Sequence, residues 1–335
     1  MKKNLMIGAA VFSLANVDGM ISDGRSFKDR IEKRITDSIP SLVVCNLREL
    51  EVSRQELVEG SGLNSTLSFT INGTSVEIGF DESYGDEYIF EYIFNMLTRI
   101  GEESIGEKAF FQCWDCPVVV SINDRVKYLA GRSFGCLSPS ASLSSSLRVY
   151  FGDMSQLERI DDLAFVNSGI RNIEIPSNLK VIGKNAFSGS ALREIDIPST
   201  VKKVDEFAFV HCEHLEKVRF LPNLSCEERG VIEPIKLKLG HRSFWDCEKL
   251  SELHLSNRPC YIGSYAFSSS GLTVFSAEAR LSIGEQAFCA VNLDLVVVPN
   301  GSELIIGSWN RKGHQILFRD EDGIILEARD FRLAR

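Results

Sequence analysis

The chain has 335 residues, of which 44% are hydrophobic and 25% charged, with a formal net charge of −9. That apolar content suffices for a continuous core, while the acidic balance disfavours a nucleic-acid or anionic-membrane surface, which needs a basic stripe. No apolar run reaches the length of a membrane span, so neither an integral membrane segment nor a nucleic-acid partner is expected.

The first 15 residues read MKKNLMIGAAVFSLA. Two lysines precede an apolar run from Leu5 to Ala15, and Ser13 and Ala15 would sit at −3 and −1 of a cut before Asn16. This is the layout of a secretory signal peptide. A buried N-terminal strand or helix fits the same residues. The compartment follows the choice: secreted or cell surface if Met1–Ala15 is a signal peptide, cytoplasmic otherwise.

Residues 16–98 contain no repeat. Ser26 to Thr36 places Phe27, Ile31 and Ile35 at helical spacing. Leu42 to Val52 reads as a strand. Asn64 to Phe80 alternates around Asn72-Gly73, a hairpin turn signal. Tyr88 to Leu97 reads as a helix. The whole reads as a small α+β unit or N-terminal cap.

From residue 99 to 314 a phrase recurs. In LERIDDLAFVNSGIRNIEIP and LKVIGKNAFSGSALREIDIP, Ile160, Ala164, Phe165, Ile170, Ile173, Ile175 and Pro176 match Ile182, Ala186, Phe187, Leu192, Ile195, Ile197 and Pro198. Each pair is 22 residues apart. Further copies carry Ala208-Phe209, Ser243-Phe244, Ala266-Phe267 and Ala287-Phe288, with Ala109-Phe110 upstream and Ser133-Phe134 as a weaker member. Insertions precede Ile160 and Leu239, and Ser138–Ser146 interrupts the region as a loop.

A self-similar phrase at this period is the signature of stacked turns, since one short amphipathic strand cannot bury its own apolar face. The fold class expected is a β-rich solenoid of about 22–23 residues per turn, with parallel stacked short strands. The Ile-Gly before Ala-Phe reads as a turn where glycine takes positive φ. Ala stays small where the chain packs closely, and Phe fills the interior. A stack has open ends that need covering. Residues 16–98 would cover one, and a hairpin at Gln315–Ala328, with Asp320–Gly323 as its turn, the other. Residues 315–335 thus form the C-terminal cap and tail.

I-G-x-x-A-F followed by L-x-x-I-x-I-P, recurring in phase over about residues 99–300, resembles the BspA-like leucine-rich repeat family, also called the Treponema pallidum type. The resemblance implies a β-rich curved solenoid with little helix, ligand binding or adhesion, and no catalytic residues. The copy near Phe134 departs from it by lacking the I-P strand.

Nine cysteines are present. Cys113, Cys212 and Cys247 each follow a repeat Phe by three residues, which favours buried small thiols. Cys113-Trp-Asp-Cys116 has no second pair at zinc spacing, and His211-Cys212-Glu213-His214 reads as a turn with Cys212 inward. No phosphate loop, G-x-S-x-G or H-E-x-x-H occurs. No cofactor, metal or catalytic residue is expected. Asn64, Asn72, Asn223 and Asn300 head N-x-[ST] sequons.

Stacking would expose the residues between the buried strand positions. One row would run Asn172, Glu194, Lys217, Glu252, Val274, Leu295, and the next Glu174, Asp196, Arg219, His254, Ser276, Val297. Glu194, Asp196, Lys217, Arg219, Glu252, His254, Val274, Leu295 and Val297 are the candidate partner-binding residues. Two readings fit the apolar end: an anchor patch rimmed by charge for a protein ligand, or residues covered by the C-terminal cap. The alternatives to a surface adhesion module are an intracellular scaffold and an enzyme with its active domain in residues 16–98.

Overall fold

The computed structural model describes residues 51–53, 65–80, most of 93–111, 118–137, 147–222, 236–293 except 256, and the strands at 295–299, 303–304, 315–319 and 325–327. Met1–Ala15, the helix expected at Ser26–Thr36, the Cys113–Cys116 pair and the loop at Ser138–Ser146 lie outside the described residues.

Every element with defined bounds is a strand. The N-terminal region supplies β1 (Glu51–Ser53), β2 (Ser65–Ile71) and β3 (Thr74–Phe80). Then follow β4 (Ser104–Ile105), β5 (Val118–Ile122), β6 (Tyr128–Leu129), β7 (Leu147–Phe151), β8 (Arg159–Ile160), β9 (Val181–Ile182), β10 (Glu194–Ile197), β11 (Lys203–Val204), β12 (Lys217–Phe220) and β13 (Leu237–Leu239). The chain continues through β14 (Glu252–His254), β15 (Cys260–Ile262), β16 (Val274–Ser276), β17 (Leu281–Ile283), β18 (Leu295–Pro299), β19 (Glu303–Leu304), β20 (Gln315–Arg319) and β21 (Ile325–Glu327).

These strands stack into two rows. Nine strands of two or three residues form one sheet, in the order β19-β17-β15-β13-β11-β9-β8-β6-β4, and the other strands, three to seven residues long, lie in the second row. All pairs in the nine-stranded sheet are parallel. The second row is broken into three sheets: β1-β2-β3-β5-β7, β10-β12-β14 and β16-β18-β20-β21. This is the expected parallel solenoid.

Between the rows runs the core. Phe110, Phe134, Phe165, Phe187, Phe209, Phe244, Phe267 and Phe288 stack one above the next, with ring centroids 4.8 to 5.5 Å apart and planes within 15°. The spacing is close to that between paired strands, so every turn sets its ring on the ring below. Phe134, the weaker member in sequence, is a full rung. Its strand is β7, reached beyond the Ser-rich insertion.

The glycine expectation is corrected by the backbone. Gly183, Gly240, Gly263 and Gly284 are not among the residues with positive φ. They are small because the neighbouring turn leaves no room: a Cβ at Gly183 would lie 2.7 Å from the Asp161 carbonyl carbon, and one at Gly240 2.5 Å from the Glu206 nitrogen. The left-handed positions come two residues later, at Asn185, Phe207, Arg242, Tyr265 and Gln286, with φ between 52° and 59°. A second set follows the Phe, at Asn167, Gly189, His211, Asp246, Ser269 and Ala290. Each of these turns therefore bends through two αL residues, and side chains of ordinary type are held there by the stack.

Cys212 and Cys247 are fully buried, as expected, and each thiol donates to a carbonyl of the preceding turn, Phe187 O and Phe209 O, both at 3.1 Å. Ser168, Ser190 and Ser270 hold the same position in other turns and are buried too. Val291 is buried at the same position after Phe288, so the position asks for a small side chain rather than for cysteine.

Further strands continue the second row at both ends. Asn72 and Gly73 have φ of 49° and 78°, the pair a type I′ hairpin turn requires. β3 lies antiparallel on β5, with Val76 opposite Val120. The Asn72 side chain donates to Ile100 O at 2.7 Å, and Asn123 Nδ2 donates to Asn72 O at 2.6 Å, which fastens the hairpin to the first turn. At the far end β20 adds in parallel to β18 and β21 folds back antiparallel on β20. Ile93, Asn95 and Met96 take helical geometry within the expected Tyr88–Leu97 helix. Arg258 is buried and donates to Ser199 O and Val201 O at 2.6 and 2.9 Å.

Candidate protein-binding face

Alternation within β10, β12 and β14 decides which side chains reach solvent. Ile195, Ile197, Val218, Phe220 and Leu253 turn inward and are buried. Their neighbours turn outward in register: Glu194 beside Lys217 beside Glu252, and Asp196 beside Arg219 beside His254. The two rows read from sequence therefore exist on these three strands.

Their charges are interleaved. Arg219 pairs with Asp196 through two contacts, Nε to Oδ1 and Nη2 to Oδ2, the latter 2.8 Å, and lies 3.9 Å from Glu194. Lys217 pairs with Glu252, which also stands 3.7 Å from His254 Nε2. The hydrogen bond and charge of Lys217 hold the Glu252 carboxyl below its usual range. The Asp196 contact raises the Arg219 guanidinium above its ordinary value. These groups are exposed, so the lattice orients side chains across three strands and contributes little stability.

The apolar end of the rows is different. Val274 is 48% exposed on β16, opposite Leu295 in register. The side chain of Leu295 lies outside the described residues. Val297, expected on the open face, is 7% exposed. It sits on β18 between β16 and β20, opposite Ser276 and Leu317 in register. Val297 thus does not join an exposed patch.

The largest departure from the pattern is at Asn172–Ile175. The segment repeats the sequence of β10, yet it forms no strand with β7 or β10. Where it parts from β10 there is a cleft of about 530 Å³, lined by Asn172–Ile175, Glu194–Asp196, Arg219 and Leu221. Ile173 and Ile195 are buried beneath it, while Asn172, Glu174 and Glu194 are exposed. The sequence gives no sign of it, because a strand's pattern does not say whether its ladder bonds form.

A second feature escaped the sequence reading. The αL turns bring Phe207, His241, Arg242, Trp245 and Tyr265 together. Arg242 lies over the rings of Trp245, Tyr265 and Phe207, at 5.0, 5.3 and 6.0 Å from their centroids. His211 accompanies them, 2.8 Å from Asp246 Oδ2 and 5.0 Å from the Trp245 ring. Cys212 beside it points inward, so the His-Cys-Glu-His run is not one constellation. Among the described residues no group of three or more His, Cys, Asp or Glu could hold a metal ion, and no helix is long and apolar enough to cross a membrane.

The profile of the BspA type leucine-rich repeat region matches residues 150–238 and 231–309, with six copies. No curated protein matches the sequence. Among solved structures, a leucine-rich repeat protein from Bacteroides ovatus is similar at 14% identity and a TM-score of 0.37, covering 82% of this chain and 76% of that one. The pneumococcal vaccine antigen PcpA is similar at 18% identity and 0.25, covering 59% and 69%. A leucine-rich cell surface protein from Faecalibacterium prausnitzii is similar at 18% and 0.29, covering 60% and 72%. With its recurring I-G-x-x-A-F phrase, its parallel stacked turns and the profile match, residues 150–309 of this chain are a leucine-rich repeat region of the BspA type.

Proposed function

We propose that this chain is a non-catalytic protein-binding module, acting at the cell surface or in secreted form, whose ligand docks on the charged face of β10, β12 and β14. The observation that carries the reading is the in-register exposure of Glu194, Asp196, Lys217, Arg219, Glu252 and His254 on a rigid sheet whose inward residues are all core. Val274 on β16 offers an exposed apolar side chain in the next sheet of the same row. Interleaved charge on a fixed scaffold suits selection of a protein partner by complementarity. The surface assignment draws support from the signal-like layout of Met1–Ala15.

Two experiments test it. The mass of protein purified from its natural source, alkylated in denaturant without reduction, begins at Asn16 if the chain is exported; a mass that includes residues 1–15 with all nine thiols alkylated moves the search to cytosolic partners. With a captured ligand, Lys217→Glu combined with Arg219→Glu lowers affinity at least tenfold while the far-UV spectrum and unfolding midpoint stay close to wild type. Unchanged affinity in that folded variant removes this face from the proposal.

A further inference from the structure

The split between Asn172–Ile175 and β10 leaves main-chain groups of both without partners among the described residues. Lys217 and Leu221 donate to Arg193 O and Ile197 O, at 3.2 and 2.9 Å. The odd-numbered carbonyls of β10 thus face β12. By the alternation of a strand, the N–H and C=O groups of Glu194 and Asp196 point to the other edge, toward the cleft. One rung closes there, from Arg193 N–H to Arg171 O at 3.3 Å. Beyond it, among the described residues, none of Asn172, Ile173, Glu174 or Ile175 makes a backbone hydrogen bond. This is a sheet edge inside a stack, where the equivalent steps β10 to β12 and β12 to β14 are fully paired.

Resting on the binding reading above, we infer that this opening is a strand-addition site: an extended segment of a partner protein, with apolar and basic residues alternating, lies along β10. Only main chain in extended form presents donors and acceptors at the spacing Glu194 and Asp196 offer. Four residues, roughly 13 Å of strand, match the length of the opening. The floor selects the apolar half of the pattern, because Ile173 and Ile195 lie buried under the cleft. The rim selects the basic half. Glu174, Glu194 and Asp196 all line the cleft. Arg219 engages Asp196 fully and Glu194 only at 3.9 Å, and Glu174 has no ion-pair partner among the described residues.

The test uses the full chain and peptides selected on it from a displayed library of random 12-residue sequences. The best binder is remade with N-methyl groups on alternate residues, in both parities, and measured by titration calorimetry. Methylation in one parity weakens binding at least tenfold, the other parity does not, and Glu194→Pro, which deletes an N–H aimed at the cleft, weakens it by a similar factor. Binders indifferent to both methylation patterns overturn the inference, as does a selection that yields none. The methylated peptides leave the protein unaltered, so a misfolded Glu194→Pro does not blunt the result. Binders sensitive to Lys217→Glu and Glu252→Lys but not to methylation keep the charged face and discard the strand site.

Discussion

Replacing Phe187 by alanine removes the ring from the middle of the aromatic column. Phe187 is fully buried and lies between Phe165 and Phe209, with centroids at 5.0 and 5.1 Å. A buried Phe→Ala change costs about 3–5 kcal/mol through lost transfer energy and the cavity left behind. The two ring contacts raise the figure, since each aromatic pair is worth about 0.5–1.5 kcal/mol beyond its area. The expected loss is therefore about 4–6 kcal/mol, toward the top of the range for a point change. Urea unfolding followed by far-UV dichroism and by Trp fluorescence measures it. Because each turn contacts only its neighbours, the variant should also separate the two signals, the turns on either side of the gap melting apart. Phe187→Leu, which keeps most of the volume, should lose much less, and a double-mutant cycle of Phe187→Leu with Phe209→Leu should show a coupling of at least 0.5 kcal/mol, as expected for neighbours in contact. A loss under about 2 kcal/mol for Phe187→Ala, or no coupling in the cycle, refutes the view that the column holds the turns together.

Gly240→Ala puts a Cβ 2.5 Å from the Glu206 nitrogen, a backbone atom that cannot swing aside; overpacking of this kind costs about 1–3 kcal/mol, read as a lower urea midpoint. Gln286→Gly at φ 52° should act in the opposite sense, raising stability by up to about 1 kcal/mol as the αL strain is relieved. Burial pushes the Asp205 carboxyl up, but the Lys203 and Glu206 N–H contacts outweigh it, leaving the group below its usual range. Its stabilisation is then complete above the unfolded carboxyl range near pH 4 and is lost as pH falls through the folded value, so midpoints measured down to pH 3 should fall less steeply in Asp205→Asn. Burial pushes the Cys260 thiol up to about 12, and Cys212 and Cys247 are fully buried out of the reagent's reach, so at pH 8 iodoacetamide should leave all three unmodified in native protein and label all three after unfolding.

The stack was legible because its signal is repetition: Phe165, Phe187 and Phe209 recur at one interval, and only a coil brings such residues onto one line. The hairpin at Asn72-Gly73 was legible from turn chemistry, which is local. What stayed hidden depends on distances between turns. Whether a glycine serves φ or clearance cannot be read from its letter, and at Gly183 the neighbouring backbone, not the local bend, decides. Val297 is buried at a position where the alternation predicts exposure, and the parting of Asn172–Ile175 from β10 occurs although IRNIEIP and LREIDIP carry the same pattern. The outward rows on β10, β12 and β14 were legible in advance because the interval fixes the register there. Phe207, Arg242, Trp245 and Tyr265 come together only through αL turns that no residue type among them announces.

The even spacing of the rings also bears on how such a chain changes over generations. Excising residues 182–203, one whole interval, would join Val181 to Val204 and set Phe165 directly beneath Phe209, each ring still over a ring. A slip of copying by that length adds or removes a storey without disturbing those above and below, whereas a slip of one residue turns the core outward for the rest of the strand. The reach of the molecule is thus open to inheritance in whole steps, while its cross-section stays fixed.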